Sequence, residues 1–181
     1  MSDEHLDAPL VFWGDSMRAA ITEDEIAGLL ADKKPISAAQ LKCLMQPKMD
    51  KNSQHYRANI QLLGQSGREY TISVRRNAND AMEFSVILSI VRNKKQFNLI
   101  RCNGHHALHP NNLERSTIPA DTCHIHRVTE RYHQFGDKKA TGYAEATSGY
   151  DSFEGAVDYM ARHFGVQHPD GYKRHMFDDL D

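Results

Sequence analysis

Residues 82–102 read MEFSVILSIVRNKKQFNLIRC, and this stretch decides the fold of the chain. Apolar side chains recur at every second position of its first half, which is the period of a β-strand: Phe84, Val86, Leu88 and Ile90. A polar turn at residues 93–95 follows, and a second apolar run begins at Phe97. A turn this short joins only antiparallel neighbours, because parallel strands need a long crossover. The stretch therefore predicts an antiparallel hairpin.

The second strand of the hairpin carries apolar groups on both faces. Alternation predicts two sets on opposite faces: Phe97, Leu99 and Arg101, and Asn98, Ile100 and Cys102. We therefore expect a central strand, with Arg101 emerging near its C-terminal end. Asn103-Gly104 then breaks the strand, and a long polar loop is predicted up to Ala120.

Further strands are predicted on both sides of the hairpin. Alternating patterns cover residues 56–62 and 70–74, and polar turns lie at residues 65–67 and 77–80. Together with the hairpin, these strands predict an antiparallel meander of four. The polar residues 48–57 before the meander predict a loop or linker.

Two more strands are predicted after the polar loop. Residues 123–128 give the fifth, with His124 and His126 on one face and Cys123 and Ile125 on the other. Residues 130–139 predict a loop or a splayed hairpin. The sequence TGYAEAT at residues 141–147 predicts a short sixth strand.

Helices are predicted on either side of these strands in the chain. Thr22 and Glu25 have the spacing of a capping box, and residues 22–46 predict a helical hairpin. Residues 151–154 have the pattern of a capped helix start, and Gly165 is in place to end this last helix. Its apolar stripe has helical spacing: Phe153, Val157, Met160 and Phe164. The predicted fold class is α+β: an antiparallel meander sheet of five or six strands with an N-terminal helical hairpin and one C-terminal helix.

The chain divides into three predicted regions. Residues 1–50 form an N-terminal arm and the helical hairpin, residues 51–166 the antiparallel α+β domain, and residues 167–181 a polar tail. The apolar residues 10–13 predict a docked arm or a short strand. We expect the tail to be loosely ordered or to dock on a partner.

Composition places the chain among soluble globular proteins. It has 181 residues, 40% of them apolar and 25% charged, with a net charge of −2. The near-neutral charge means that any contact with nucleic acid must come from a local basic patch. Three cysteines without a CxxC pair predict reduced thiols, and no apolar run has the length of a membrane span. We therefore expect a cytoplasmic protein without membrane contact.

Six of the eleven histidines lie between His105 and His133. Metal-free RNA cleavage needs a base for the ribose 2′-OH, an acid for the leaving oxygen and a cation for the phosphate. Histidine serves the first two roles near neutral pH, and arginine matches phosphate oxygens. The predicted catalytic residues are Arg101, His109, His124 and His126. The predicted substrate-binding residues are Asn103, His105, His106, Arg127 and Arg131.

The same residues allow two other interpretations. The first alternative to the metal-free ribonuclease, which needs no cofactor, is a zinc-dependent hydrolase. His109, His124 and His126 have the donor atoms for such a zinc site. Against zinc, Cys123 is predicted to point away from the two strand histidines. Polar histidine clusters also occur on protein-binding surfaces, and a non-catalytic binding protein is therefore the other alternative.

The order of these motifs resembles a family of proteins from prophages and other mobile elements. The shared pattern is Arg101-x-Asn103 on a strand, His109-Pro110-Asn111 in a loop and His124-x-His126 on a later strand, followed by a closing helix. It is more distantly similar to the TumE-type toxins of toxin–antitoxin pairs. The resemblance covers roughly residues 83–165.

The chain departs from the family pattern in two places. The family loop contains an Asp-Gly pair that is missing after His109 here, and Thr122-Cys123 stands where a proline precedes the HxH motif. The position of Asn103 carries Asp or Asn in these patterns. The resemblance implies a mobile-element context, a toxin-like or host-interfering role, and RNA as a target.

Besides the zinc-dependent hydrolase, two functions follow for testing. The first is a toxin-like, metal-independent endoribonuclease of a prophage or toxin–antitoxin module, with RNA as substrate and a cognate antitoxin as partner. The second is a non-catalytic mobile-element protein that binds and inhibits a host protein, such as a component of a defence system.

Overall fold

The computed structural model describes residues 20–92 and 94–169. The elements within these ranges are, in chain order, α1 Glu23–Ala31, β1 Lys34–Pro35, α2 Ala38–Met45, β2 Lys48–Met49, β3 His55–Leu63, β4 Glu69–Asn77, β5 Phe84–Arg92, β6 Lys95–Asn103, β7 His109–Asn111, β8 Ser116–Ile118, β9 His124–Arg127, α3 Glu130–His133, β10 Tyr143–Ala146, α4 Phe153–His163 and β11 Val166–Gln167. The predicted arm at residues 10–13 and most of the predicted tail lie outside the described residues.

The α+β class is confirmed, with one large antiparallel sheet. Its strands lie in the order β10-β9-β6-β5-β4-β3-β2, and the predicted meander forms its consecutive neighbours β3 to β6. β6 pairs with both β5 and β9, as expected of a central strand. The sheet has seven strands because β2, within the predicted loop at residues 48–57, pairs with β3 through Met49 and Tyr56.

The predicted face alternation of β6 is wrong. Leu88 pairs with Ile100 and Ser89 with Asn98, so Leu99 is an extra residue in a β-bulge. Phe97 and Ile100 therefore share a face, and Arg101 lies on the other one. Strict alternation fails here because the bulge adds a residue to β6 without adding one to β5.

The helices α1, α2 and α4 cover one face of the sheet with a continuous apolar core. The stripe predicted on α4 is buried, and Gly165 follows the helix with a φ of 72°. Thr22, Ser37 and Ser152 each cap a helix by accepting a backbone N–H in the first turn. The opposite side of the sheet, which we call the polar face, carries the side chains directed away from this core.

The predicted helical hairpin contains a short strand between its helices. This strand, β1, pairs in parallel with β11. The Lys34 side chain in it is fully buried, and its Nζ donates to the carbonyls of Leu29 (2.9 Å), Asp32 (2.6 Å) and Phe164 (3.1 Å). A cation suits this position because the C-terminal ends of α1 and α4 carry partial negative charge.

Two stretches predicted as loops contain regular structure. The loop after Asn103 holds a hairpin in which β7 pairs with β8, with His109 opposite Ile118. The stretch from residue 130 begins with α3, which Thr129 caps by accepting from the backbone N–H of Tyr132. Both elements are too short to show a period in sequence. No helix in the described ranges is long and apolar enough to cross a membrane.

Candidate active site

Two neighbouring strands bring four predicted site residues together on the polar face. In the pairing of β6 with β9, Arg101 lies opposite His126 and Asn103 lies opposite His124. Residues directly opposite in an antiparallel pair project to the same face. The register of β6 against β9 therefore places Arg101 beside the histidines, and the bulge at Leu99 places them on the face opposite to that of Phe97.

The hairpin β7–β8 brings a third histidine to this face. His109 donates from Nε2 to the carbonyl oxygen of Gly142 at 3.0 Å. Two residues on, Asn111 makes both backbone hydrogen bonds of Ala144, at 2.8 and 2.9 Å. The side chains of β7 thus make hydrogen bonds to backbone groups of residues 142 and 144, which a further strand paired with β10 would otherwise make.

The imidazole rings form a compact group, which we call the histidine cluster: His106, His109, His124 and His126. The ring centroids of His109 and His126 are 4.5 Å apart, and those of His124 and His126 are 5.0 Å apart. His109 and His106 lie 5.9 and 6.0 Å from His124. His124 and His126 are buried, whereas His106 and His109 are half-buried.

Backbone carbonyls determine which ring nitrogen carries the proton. A carbonyl oxygen only accepts, so the nitrogen that contacts it must be protonated. His126 contacts the carbonyl of Thr141 through Nδ1 at 3.0 Å, and His109 contacts Gly142 through Nε2. In their neutral forms, His126 therefore carries its lone pair on Nε2 and His109 on Nδ1.

His124 has both ring nitrogens occupied. Its Nδ1 donates to the carbonyl of Thr122 at 2.7 Å, and its Nε2 accepts from the Asn103 side-chain amide at 3.2 Å. The Oδ1 atom of Asn103 in turn accepts from the hydroxyl of Ser85 at 2.8 Å. The chain Ser85–Asn103–His124 holds this ring in one orientation, which suits His124 to positioning rather than to proton transfer.

Burial and one nearby cation keep the strand histidines neutral. Burial, followed by the positive charge of Arg101, lowers the pKa of His126 to about 3. Burial also lowers the pKa of His124, and the hydrogen bond to Thr122 opposes this shift. A neutral imidazole can accept a proton through its lone pair, and the neighbouring guanidinium can bind an anion.

Arg101 is a half-buried cation that has no counter-ion among the described residues. Its Nε is buried and has no hydrogen-bond partner within the described ranges. Burial lowers the pKa of this guanidinium from its usual high value, and arginine remains charged at neutral pH. Such a group has unused capacity for an anionic ligand, since burial without a partner is unfavourable.

The other predicted substrate-binding residues do not join the histidine cluster. Arg127 projects to the helix side of the sheet, where it contacts the ring of Phe164 and pairs with Glu145. Arg131 is exposed on α3 and pairs with Glu114. The backbone N–H of His105 bonds to the carbonyl of Met82, and its side chain is half-exposed.

Several residues that hold the cluster were not predicted. Ser85 and Asn111 act through side chains, and Thr141 and Gly142 through backbone carbonyls. The Tyr150 hydroxyl lies within 3.0 Å of the carbonyl oxygens of both Asn103 and His124. No sequence signal marks the two carbonyls, whereas Asn111 lies within the quoted HPN motif.

Within residues 20–92 and 94–169, no group of three or more His, Cys, Asp or Glu side chains has the arrangement of a metal site. Comparison of the chain with protein-family models, with curated protein sequences and with solved structures finds no match. The candidate function therefore depends on the chemistry of the cluster itself.

Proposed function

We propose that this protein is a toxin-like, metal-independent endoribonuclease of a prophage or toxin–antitoxin module. The observation that carries the proposal is the convergence of His109, His124 and His126 with Arg101 on one part of the polar face. An isolated surface role for these residues does not require ring centroids 4.5 to 5.9 Å apart. Acid–base cleavage of a phosphodiester does require such proximity.

His126 is the general base in this proposal. Its Nε2 carries the lone pair, because Nδ1 donates to Thr141, and the nitrogens of His124 are both engaged. The base takes the proton of the ribose 2′-OH, and the 2′-oxygen then bonds to phosphorus. The Thr141 carbonyl stabilises the imidazolium that forms, in the way an orienting acceptor supports a catalytic histidine.

His109 is the general acid. It donates a proton from Nδ1 to the 5′-oxygen as the bond from phosphorus to that oxygen breaks. The products are a 2′,3′-cyclic phosphate and a free 5′-hydroxyl. The Gly142 carbonyl keeps the second proton on Nε2, so the ring presents Nδ1 to the substrate.

Arg101 binds the scissile phosphate. A guanidinium can donate two parallel hydrogen bonds to phosphate oxygens, and the described residues offer the buried Nε of Arg101 no hydrogen-bond partner. The negative charge of the phosphate also offsets the repulsion between Arg101 and a protonated His126. Phosphate binding therefore weakens the effect of Arg101 on the pKa of His126, which is second to burial in lowering it.

Purified full-length protein tests the chemistry directly. Single-stranded RNA incubated with the protein and excess EDTA should yield fragments ending in 2′,3′-cyclic phosphate, which mass spectrometry identifies. His126→Gln should abolish cleavage, and His163→Gln, which changes an exposed histidine on α4, should not. Loss of wild-type cleavage in EDTA, restored by zinc, would favour the zinc hydrolase instead.

Induced expression in a bacterial host tests the biological role. The wild type should arrest growth and fragment total RNA, and a variant with both His124→Ala and His126→Ala should do neither. Growth arrest that persists in this double variant, with intact RNA, would favour the alternative of a protein that binds a host component.

A further inference from the structure

A groove of about 790 Å³ opens beside the histidine cluster. It lies between the first half of β6 and the segment that runs from His133 to Lys138. Two residues that line the groove also neighbour the histidine cluster: Arg101, which lies opposite His126, and Thr141, whose carbonyl accepts a hydrogen bond from His126. Its volume falls within the range of about 300–1,000 Å³ that is usual for ligand sites.

The charged side chains of the groove favour an anion. Lys95 and Lys138 are exposed at its walls, and Arg101 lies where the groove meets the cluster. Its carboxylate, Asp137, accepts a hydrogen bond from His133 at 2.9 Å. The described residues thus give the groove three cations against one carboxylate that is already engaged.

An aromatic side chain completes the groove. Phe135 is 62% exposed, which is unusual for a large apolar ring. It lies in the turn after α3, where Gly136 adopts a φ of 97°. An exposed ring beside cations is the combination by which proteins stack a nucleobase and hold its phosphate.

We propose that this groove binds a nucleotide of single-stranded RNA next to the scissile phosphate. The phosphate contacts Arg101, the base stacks on Phe135, and Lys95 and Lys138 contact flanking phosphates. The inference rests on the proposed ribonuclease function for the identity of the ligand, and it adds a subsite outside the catalytic group. Gln96 and Asn98, which also line the groove, supply donors and acceptors for the sugar and base.

The first test measures binding without cleavage. A fluorescently labelled single-stranded RNA with 2′-O-methyl groups has no 2′-OH to deprotonate, so its anisotropy reports affinity alone. Phe135→Ala should weaken binding by about 5- to 100-fold, the usual effect of removing one stacking ring. Leu63→Ala is a matched control, because Leu63 is 61% exposed on β3.

The second test uses salt. Lys95→Gln and Lys138→Gln should each reduce the slope of log affinity against log salt by about 0.7, the value for one phosphate contact on a single strand. Lys51→Gln, an exposed lysine in the loop before β3, should leave the slope unchanged. Wild-type affinity for Phe135→Ala, or unchanged slopes for both lysine variants, would overturn the proposal.

The outcomes separate this inference from the proposed function. Binding through Phe135 without cleavage of unmodified RNA would overturn the ribonuclease and leave the groove as a nucleotide site. Cleavage of unmodified RNA with no effect of Phe135→Ala on binding would overturn the groove alone. If the wild type does not bind the modified RNA, the groove proposal is also overturned.

Discussion

Arg101 lies directly opposite His126 in the antiparallel pairing of β6 with β9. A guanidinium therefore faces an imidazole whose pKa burial and that same cation lower to about 3. Within the described residues, Arg101 has no ion pair that would neutralise it. The proximity of Arg101 disfavours a proton on His126 and favours an anionic ligand, which is a common arrangement at functional sites.

The Arg101→Met variant tests this trade-off. Methionine keeps much of the side-chain volume and removes an unpaired, half-buried charge. We expect the free energy of unfolding to rise by about 1 kcal/mol, because the cost of burying that charge disappears. The affinity for RNA and the rate of cleavage should fall. Urea unfolding and anisotropy measure the two effects, and a less stable variant would contradict the interpretation of Arg101 as an unsatisfied cation.

The low pKa of His126 predicts a pH dependence of stability. Between about pH 3 and 6.5, the unfolded chain carries a proton on this residue and the folded protein does not. Folding stability therefore falls as the pH drops through this window, by about 1.4 kcal/mol per pH unit from His126. Above pH 6.5 the contribution is constant, because both states are neutral.

Urea unfolding at a series of pH values measures this slope. Between pH 4 and 6, His126→Gln should lower the slope of the unfolding free energy against pH by about 1.4 kcal/mol per pH unit, which is the contribution of one proton. His163→Gln should leave this slope unchanged. Equal slopes for the wild type and His126→Gln would show that His126 titrates normally in the folded state.

The Asn103→Asp variant should change the charge of His124. Asn103 now donates to Nε2 of His124, so the ring has no anionic partner there. A carboxylate at this position would favour a protonated Nε2 and raise the pKa of His124. Histidine C–H signals in NMR spectra report this pKa directly. A pKa at or below the wild-type value would contradict the contact between residue 103 and Nε2 of His124, and Ser85→Ala separates the effect of charge from that of a loosened side chain.

The Asn111→Ala variant should loosen the cover of the cluster. The Asn111 amide makes both backbone hydrogen bonds of Ala144, and both residues are buried. Its removal leaves a buried N–H and a buried carbonyl unpaired, at a cost of about 2–3 kcal/mol in unfolding free energy. Asn112→Ala, at the exposed neighbouring position, should cost under about 0.5 kcal/mol. Similar stabilities for the two variants would rule out this role.

The Lys34→Met variant should destabilise the helical layer. The buried ammonium group bonds to carbonyls near the ends of α1 and α4, and burial lowers the pKa of Lys34 to about 8, so it remains charged at pH 7. Methionine fills the space but leaves those carbonyls unpaired, at a cost of roughly 3 kcal/mol. Lys33→Met, at an exposed position, is the matched control. Thermal unfolding that is the same for both variants would contradict the role of Lys34.

Most of the sheet could be predicted from the sequence, because strands of nine residues show several alternations each. The strands β2, β7 and β8 have two or three residues and offer too few positions for a period to appear. The prediction of a loop after Asn103 failed for this reason. As a result, the element that carries His109 and Asn111 was visible only as a polar motif.

The sequence by itself determined that Arg101 lies near the C-terminal end of its strand and that His124 and His126 share a face, because alternation is a local property of the backbone. Only the tertiary structure decided that Arg101 joins them, since the register of β6 against β9 and the bulge at Leu99 both depend on strand pairing. The tertiary structure also decided which nitrogen of His109, His124 and His126 carries the proton. The carbonyls of Thr122, Thr141 and Gly142 that accept from these rings contact them only in the folded chain. Local patterns specify which side chains project together, whereas burial and hydrogen-bond partners come from segments that meet only in the folded chain.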